Sequence, residues 1–153
     1  MSLALFLQAN GIDGRSLKGA HLIGAQLNQM NLSRIDLSCV DLSGAELSGA
    51  DLSHANLCGA YLREANLDHA NLTGANLSCA DLTDATLSNA CLREANLQGT
   101  YLTRTNAEGA DLTNAQLNHA FLWKCNLSDA NLSHAVFQDA ELRQVTLTDA
   151  KVD

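Results

Sequence analysis

Proline is missing from this chain of 153 residues, glycine is held to 10, and the aromatics amount to three Phe, two Tyr and one Trp. A collagen-like or Pro/Gly-rich disordered chain is therefore excluded. No apolar run approaches the roughly 20 residues that span a bilayer. The opening residues, Met1 to Leu7, lack a basic stretch and a full-length apolar segment, so no secretory signal is expected. Basic residues are scarce as well. Nine Lys and Arg face 17 Asp and Glu, a net charge of -8, which argues against direct binding to nucleic acid or to an anionic membrane surface. The five cysteines are odd in number and lack framework spacing, which points to a reducing, cytoplasmic setting. The length suits one domain or one short repeat array.

What the chain has instead is repetition. Every fifth residue from 12 to 152 defines 29 positions, and 25 of them are Leu, the exceptions being Ile12, Ala107, Phe137 and Val152. Two residues earlier stands Ala at 20 of 28 places, and the residue between the two is Asn or Asp at 14 of 28. Nine of the 10 glycines fall two residues after the central position. The unit is Ala-(Asn/Asp)-Leu-X-X, and it runs without an insertion. A helix cannot use this period, because at about 100° per residue successive leucines would rotate by about 140° and reach every face. A long strand cannot use it either, since an odd period sends alternate leucines to opposite faces. A three-residue strand followed by a two-residue corner can. Ala and Leu then point inward, the residue between them points outward, and the last two turn the chain. Gly in the last place suits a corner with positive φ, while His, Arg, Glu or Lys there predicts corners of ordinary turn geometry. Strands this short must stack coil on coil to be stable.

In these residues the chain resembles the pentapeptide-repeat family, over roughly residues 15 to 152. The resemblance implies an all-β fold, a right-handed four-sided parallel β-helix with 20 residues per coil. For this chain that means about seven coils and a length of about 34 Å. Leucines would fill the lumen, with alanines where the walls meet. The expected organisation is an N-terminal cap over 1–14 and a repeat β-helix over 15–153. Ser2 is placed to cap a short helix from about Leu3 to Ala9, stopped by Asn10-Gly11; the alternative is that Leu7 and Ile12, already in register, begin the coils. Met30, Ile35 and Val40 replace Ala on three consecutive walls. Thr100 and Thr105 do so again where Ala107 replaces Leu, which predicts a thinner lumen there. The last coil has no comparable lid. Either an end-to-end homodimer forms through the C-terminal coil, or the charges of Asp149, Lys151 and Asp153 discourage stacking.

With 20 residues per coil, residues 20 apart share a column and the outward faces become legible. The wall centred on Leu22, Leu42, Leu62, Leu82, Leu102, Leu122 and Leu142 carries Tyr61, Tyr101, Phe121 and Trp123. It also carries Arg63, Arg104, Lys124 and Arg143 among Asp41, Glu64, Asp81, Asp84 and Glu141. Exposed aromatics beside arginine are the residue types of binding hot spots, so Tyr61, Arg63, Tyr101, Arg104, Phe121 and Trp123 are the partner-binding candidates. The plainer reading is that aromatics are good strand residues on a solvated wall. The wall centred on Leu27, Leu47, Leu67, Leu87, Ala107, Leu127 and Leu147 carries Glu46, Asp68, Glu108, Asp129 and Asp149, with no Lys or Arg. Here the resemblance implies a second reading, because some pentapeptide-repeat proteins are DNA mimics that bind type II topoisomerases such as DNA gyrase. Duplex DNA over about 34 Å carries about 20 phosphates. This chain nets only -8. Relatives with gyrase activity are also generally longer, dimerise at the C-terminus and often carry loops between coils. The family is abundant in cyanobacteria, where some members regulate by binding proteins.

Chemistry of other kinds finds little support. Cys39, Cys58 and Cys79 share a wall and would be either free thiols or, at close approach, a disulfide or soft-metal set, but no His completes the group. No nucleophile, base and orienting acid converge, and a filled lumen offers no substrate pocket. No catalytic residue, cofactor or metal is expected. The sequence therefore reads as a non-catalytic interaction or regulatory scaffold that presents an aromatic and basic face to a protein partner. Behind it stand the topoisomerase-binding DNA mimic and a structural repeat with no dedicated partner.

Overall fold

The computed structural model describes residues 16–153; the expected helix from Leu3 to Ala9 and the boundary at residue 14 lie outside the described residues. Parallel bridges join residues 20 apart, from His21–Asp41, Gln26–Glu46, Asn31–Asp51 and Asp36–Asn56 onward to Asn131–Lys151, without a slip. Bridges at five-residue intervals within a 20-residue coil make four walls. Each wall contributes one bridging residue per coil, the outward residue between Ala and Leu.

Burial follows the repeat. The central leucines from Leu27 to Leu97 and the alanines from Ala45 to Ala95 are at most 1% exposed, so the lumen is dry and close-packed. Met30 and Val40 are buried and Ile35 partly so. The threonines of the substituted stretch are buried with their hydroxyls bonded. The buried Thr100 and Thr105 hydroxyls donate to the Leu77 and Leu82 carbonyls at 2.9 and 2.8 Å. Ala107 remains buried. Cys125, in an alanine place, is also buried, which pushes its thiol up to about 12. Toward the C-terminal coil Leu142, Leu147 and Val152 are exposed.

Tracing where each backbone N–H goes explains the rest of the motif. The central Leu donates one coil onward, as Leu77 N–H does to Asn96 O at 2.7 Å. The second corner residue does likewise, as in Cys79 to Gln98 at 2.9 Å. The outward residue donates one coil back, as in Asn76 to Ala55 at 2.9 Å, and each Ala closes the turn, as in Ala80 to Leu77 at 3.0 Å. One donor is left, on the first corner residue. The Asn or Asp two residues earlier accepts it: Ser38 to Asp36 at 3.0 Å, Ser78 to Asn76 at 3.2 Å, Thr83 to Asp81 at 3.0 Å. Where Glu46, Thr86 or Val136 takes that place, an amide or carboxylate oxygen from the preceding coil accepts instead: Ser48 N–H to Asn28, Ser88 N–H to Asp68 and Gln138 N–H to Asn118. The amides also bond to each other along the axis, Asn56 to Asp36, Asn76 to Asn56 and Asn96 to Asn76, at 3.0–3.1 Å. Donation from the Ser38 hydroxyl and N–H holds the Asp36 carboxyl below the usual carboxylate range, and Ser53 does the same for Asp51.

The corners correct an expectation. Nineteen side-chain-bearing residues, including Arg34, Glu64, His69 and Lys124, take φ between 55 and 61° at the second corner position, as eight glycines do. Ordinary turn geometry is not used at these corners. Each corner is a turn closed by the Ala N–H, with positive φ at its third residue, and the bonds to the next coil impose the same shape on all four sides. A left-handed residue costs an L-amino acid about 1–2 kcal/mol, and the stack holds it there. Two glycines separate this strain from crowding. A Cβ on Gly44 would meet nothing within 4 Å, whereas one on Gly74 would stand 2.6 Å from His54 Nδ1. Gly44→Ala is expected to cost about 1 kcal/mol. Gly74→Ala should cost about the same, because the exposed His54 ring can turn away into solvent. Urea denaturation of the two variants checks this; a clearly larger loss in Gly74→Ala would mean that the His54 ring is held in its seat.

Candidate protein-interaction wall

The ring cluster follows from the coil. Outward residues 20 apart stand about 4.8 Å from one another. Tyr101 and Phe121, on adjacent coils, accordingly stack with centroids 4.9 Å apart and planes within 7°. Trp123 occupies the first corner beyond Phe121, and Lys124 after it holds its ammonium 5.1 Å from the indole centroid. Tyr101 and Trp123 remain 46% and 47% exposed. Together with Thr103, Glu141 and Arg143 they line an open cavity of about 600 Å³. Thr103, Glu141 and Arg143 were not among the six candidates, although their places in the same columns pointed to them.

The six candidates form two patches rather than one. Tyr101, Phe121 and Trp123 meet. Tyr61, 53% exposed, stands two coils away, beyond Asp81. Near it Arg63 helps to line a smaller depression with Ile23, Ser43, Gly44 and Glu64. The arginines are not equally free. Arg104 grips Asp84 with two prongs, Nε to Oδ1 at 2.6 Å, and holds that carboxyl below its usual range. Arg63 lies 3.7 Å from Asp81 and Arg143 3.6 Å from Glu141. Glu64 and Lys124 have no oppositely charged partner among the described residues.

One consequence of the aromatics lies in the backbone. Tyr61, Tyr101 and Phe121 occupy the outward place where Asn or Asp elsewhere accepts an N–H. The N–H groups of Arg63, Thr103 and Trp123 therefore meet no acceptor among the described residues. The wall offers bare donors beside its rings.

The acidic candidates are more dispersed. Glu46 accepts the Asn66 amide at 2.9 Å and Asp68 the Ser88 N–H at 2.8 Å. Glu108 is exposed on the first-corner column, and Asp129 and Asp149 are exposed on the second. Among the described residues no cluster of His, Cys, Asp or Glu is arranged to hold a metal ion, and no helix is long and apolar enough to cross a membrane. Cys39, Cys58 and Cys79 carry free thiols.

Comparison with known proteins agrees with this architecture. The family described as pentapeptide repeats matches residues 16–53, 50–89, 80–115, 90–129 and 110–149, with eight copies. Among solved structures, the pentapeptide repeat protein Rfr23 from the cyanobacterium Cyanothece 51142 is 23% identical, with 97% of each chain covered and a TM-score of 0.59. QnrB1, a plasmid-mediated fluoroquinolone resistance protein, is 18% identical over 93% of this chain and 86% of its own, with a TM-score of 0.51. At these identities the likeness is one of fold. No curated protein matches the chain. With its 20-residue coils, inward Ala and Leu and unbroken family match, the chain belongs to the pentapeptide-repeat family, whose members form right-handed quadrilateral β-helices.

Proposed function

We propose that the chain is a non-catalytic interaction module that binds a protein partner through the wall bearing Tyr61, Arg63, Tyr101, Arg104, Phe121 and Trp123. The observation that carries this reading is the cluster of half-exposed Tyr101 and Trp123 with the partly buried Phe121 around an open cavity. Rings seated on a stacked backbone lose little entropy on binding, and aromatics beside arginine supply most hot-spot energy. Removing two such anchors typically costs at least about 2 kcal/mol each. The Tyr101→Ala/Trp123→Ala double variant is therefore expected to lose partner capture from the native source while its thermal melt stays close to that of the parent. Undiminished capture by the folded double variant would refute the reading.

A second reading follows from the acidic wall, namely binding to a type II topoisomerase in place of DNA. Glu46 and Asp68 already accept internal hydrogen bonds, so Glu108, Asp129 and Asp149 are the freer carboxylates. That is sparse against one phosphate per about 1.7 Å of duplex. A DNA gyrase supercoiling assay with and without a quinolone separates the two readings, and no effect at micromolar protein removes the second. The interaction reading also accommodates a homodimer, since Leu142, Leu147 and Val152 are apolar surface that end-to-end pairing would cover.

A further inference from the structure

The aromatic wall carries rings, N–H groups without acceptors among the described residues, and charges without ion-pair partners along neighbouring columns. Tyr61 and Tyr101 share one outward column two coils apart, joined through Asp81. At about 4.8 Å per coil, they are separated along the axis by about 9.6 Å. The N–H groups of Arg63 and Thr103 lie on the neighbouring column, again two coils apart, and neither meets an acceptor among the described residues. Glu64 and Lys124, without charged partners among the described residues, stand three coils apart on the corner column, a span of about 14 Å.

A segment that seats on both Tyr61 and Tyr101 and reaches both the Arg63 and Thr103 N–H groups must present apolar groups and unbonded carbonyls on one side at an interval of about 9–10 Å. A β-strand does not, because its same-side residues recur at about 6.7 Å and then about 13 Å. An α-helix does not, because its carbonyls are used internally. A polyproline II helix rises about 3.1 Å per residue with three residues per turn, so residues i and i+3 share a face about 9.3 Å apart, and its carbonyls are free. Such helices also dock on aromatic-lined grooves. These 153 residues contain no proline, so a proline-rich segment is not among them.

We infer that this wall binds a proline-rich segment of another protein in the polyproline II conformation, laid along the coil axis. Apolar residues at i and i+3 sit over Tyr61 and Tyr101, and carbonyls of the segment accept from Arg63 and Thr103. A basic residue faces Glu64 and an acidic one faces Lys124. The inference rests on the interaction-wall reading and gives its partner a chemistry.

Trp123 is the chain's one tryptophan, so its fluorescence reports on the wall directly. The probe is the acetylated, amidated octapeptide Pro-Lys-Leu-Pro-Pro-Leu-Glu-Pro, in which five steps of about 3.1 Å separate the charges. Titrated into the full chain, it is expected to shift the Trp123 emission and to saturate below about 1 mM. The peptide Gly-Lys-Leu-Gly-Gly-Leu-Glu-Gly keeps the leucines and charges but not the preformed helix, and it should bind at least about tenfold more weakly. Tyr101→Ala should weaken the octapeptide about fivefold or more. Lys124→Glu should also weaken it, and replacing the peptide's Glu with Lys should restore binding to that variant. Absence of saturation, or equal binding of the glycine peptide, overturns the inference. If the octapeptide fails while the Tyr101→Ala/Trp123→Ala variant still loses its native partner, the polyproline reading falls and the interaction wall stands. If the double variant keeps its partner as well, both fall.

Discussion

Leu77→Lys is expected to abolish cooperative folding, read as loss of the thermal transition or of soluble protein. Leu77 lies midway along the described coils at 0% exposure, surrounded by other lumen leucines and alanines. Truncation to Ala at such a site already costs about 2–5 kcal/mol through lost burial and a residual cavity. A lysine ammonium there would face no carboxylate, and desolvating an unpaired charge adds several kcal/mol more. Domains of this size have only about 5–15 kcal/mol in total. The damage also falls where both halves of the stack depend on one another, because each coil contacts only its neighbours. Leu147→Lys offers the control. Leu147 is 48% exposed, so its ammonium reaches water and the variant should still melt cooperatively. A Leu77→Lys protein that melts like the parent would mean that the lumen is not the source of stability.

The second large effect belongs to Asn76. Its amide donates to Asn56 at 3.0 Å, and its oxygen accepts Ser78 N–H at 3.2 Å and the Asn96 amide at 3.1 Å. Asn76→Ala removes all three and leaves the Ser78 N–H with no acceptor. At about 1 kcal/mol for each net bond, the expected loss is about 2–3 kcal/mol by urea denaturation. Asn76→Asp keeps both acceptor roles and loses only the donation to Asn56, so it should cost roughly a third as much. Equal losses would mean that the ladder is ornament to the coil. The ladder ends on Asp36, whose carboxyl is held below its usual range. A carboxylate depressed in the folded state stabilises the protein above the unfolded value, near pH 4, and that contribution is lost as the pH falls through the folded value. The melting temperature should therefore drop below about pH 4, and by less in Asp36→Asn.

The repeat period was legible because it excluded other structures: a five-residue spacing cannot keep leucines on one side of a helix or of a long strand. Inward and outward places followed directly, as the burial of Ala45 to Ala95 and Leu27 to Leu97 shows. The corners were misread because single-residue preference treats positive φ as a glycine property. At Arg34, Glu64 or Lys124 the bonds from neighbouring coils outweigh that preference. The Asn and Asp positions were counted but not explained, since their task is to hold an N–H that only the folded corner leaves over.

The surface divides in the same way. With 20 residues per coil implied by the family resemblance, column membership placed Tyr101, Phe121 and Trp123 on one wall, because a strict period makes position along the chain a coordinate in space. Tertiary structure decided what those residues do there: that two rings stack, that Lys124 lies over the indole, that Arg104 is tied to Asp84, and that the N–H groups of Arg63, Thr103 and Trp123 meet no acceptor among the described residues. The order of residues set the lattice because backbone geometry is nearly the same in every coil. The pairings depended on side-chain reach and rotamer between coils, and those exist only once the stack has formed.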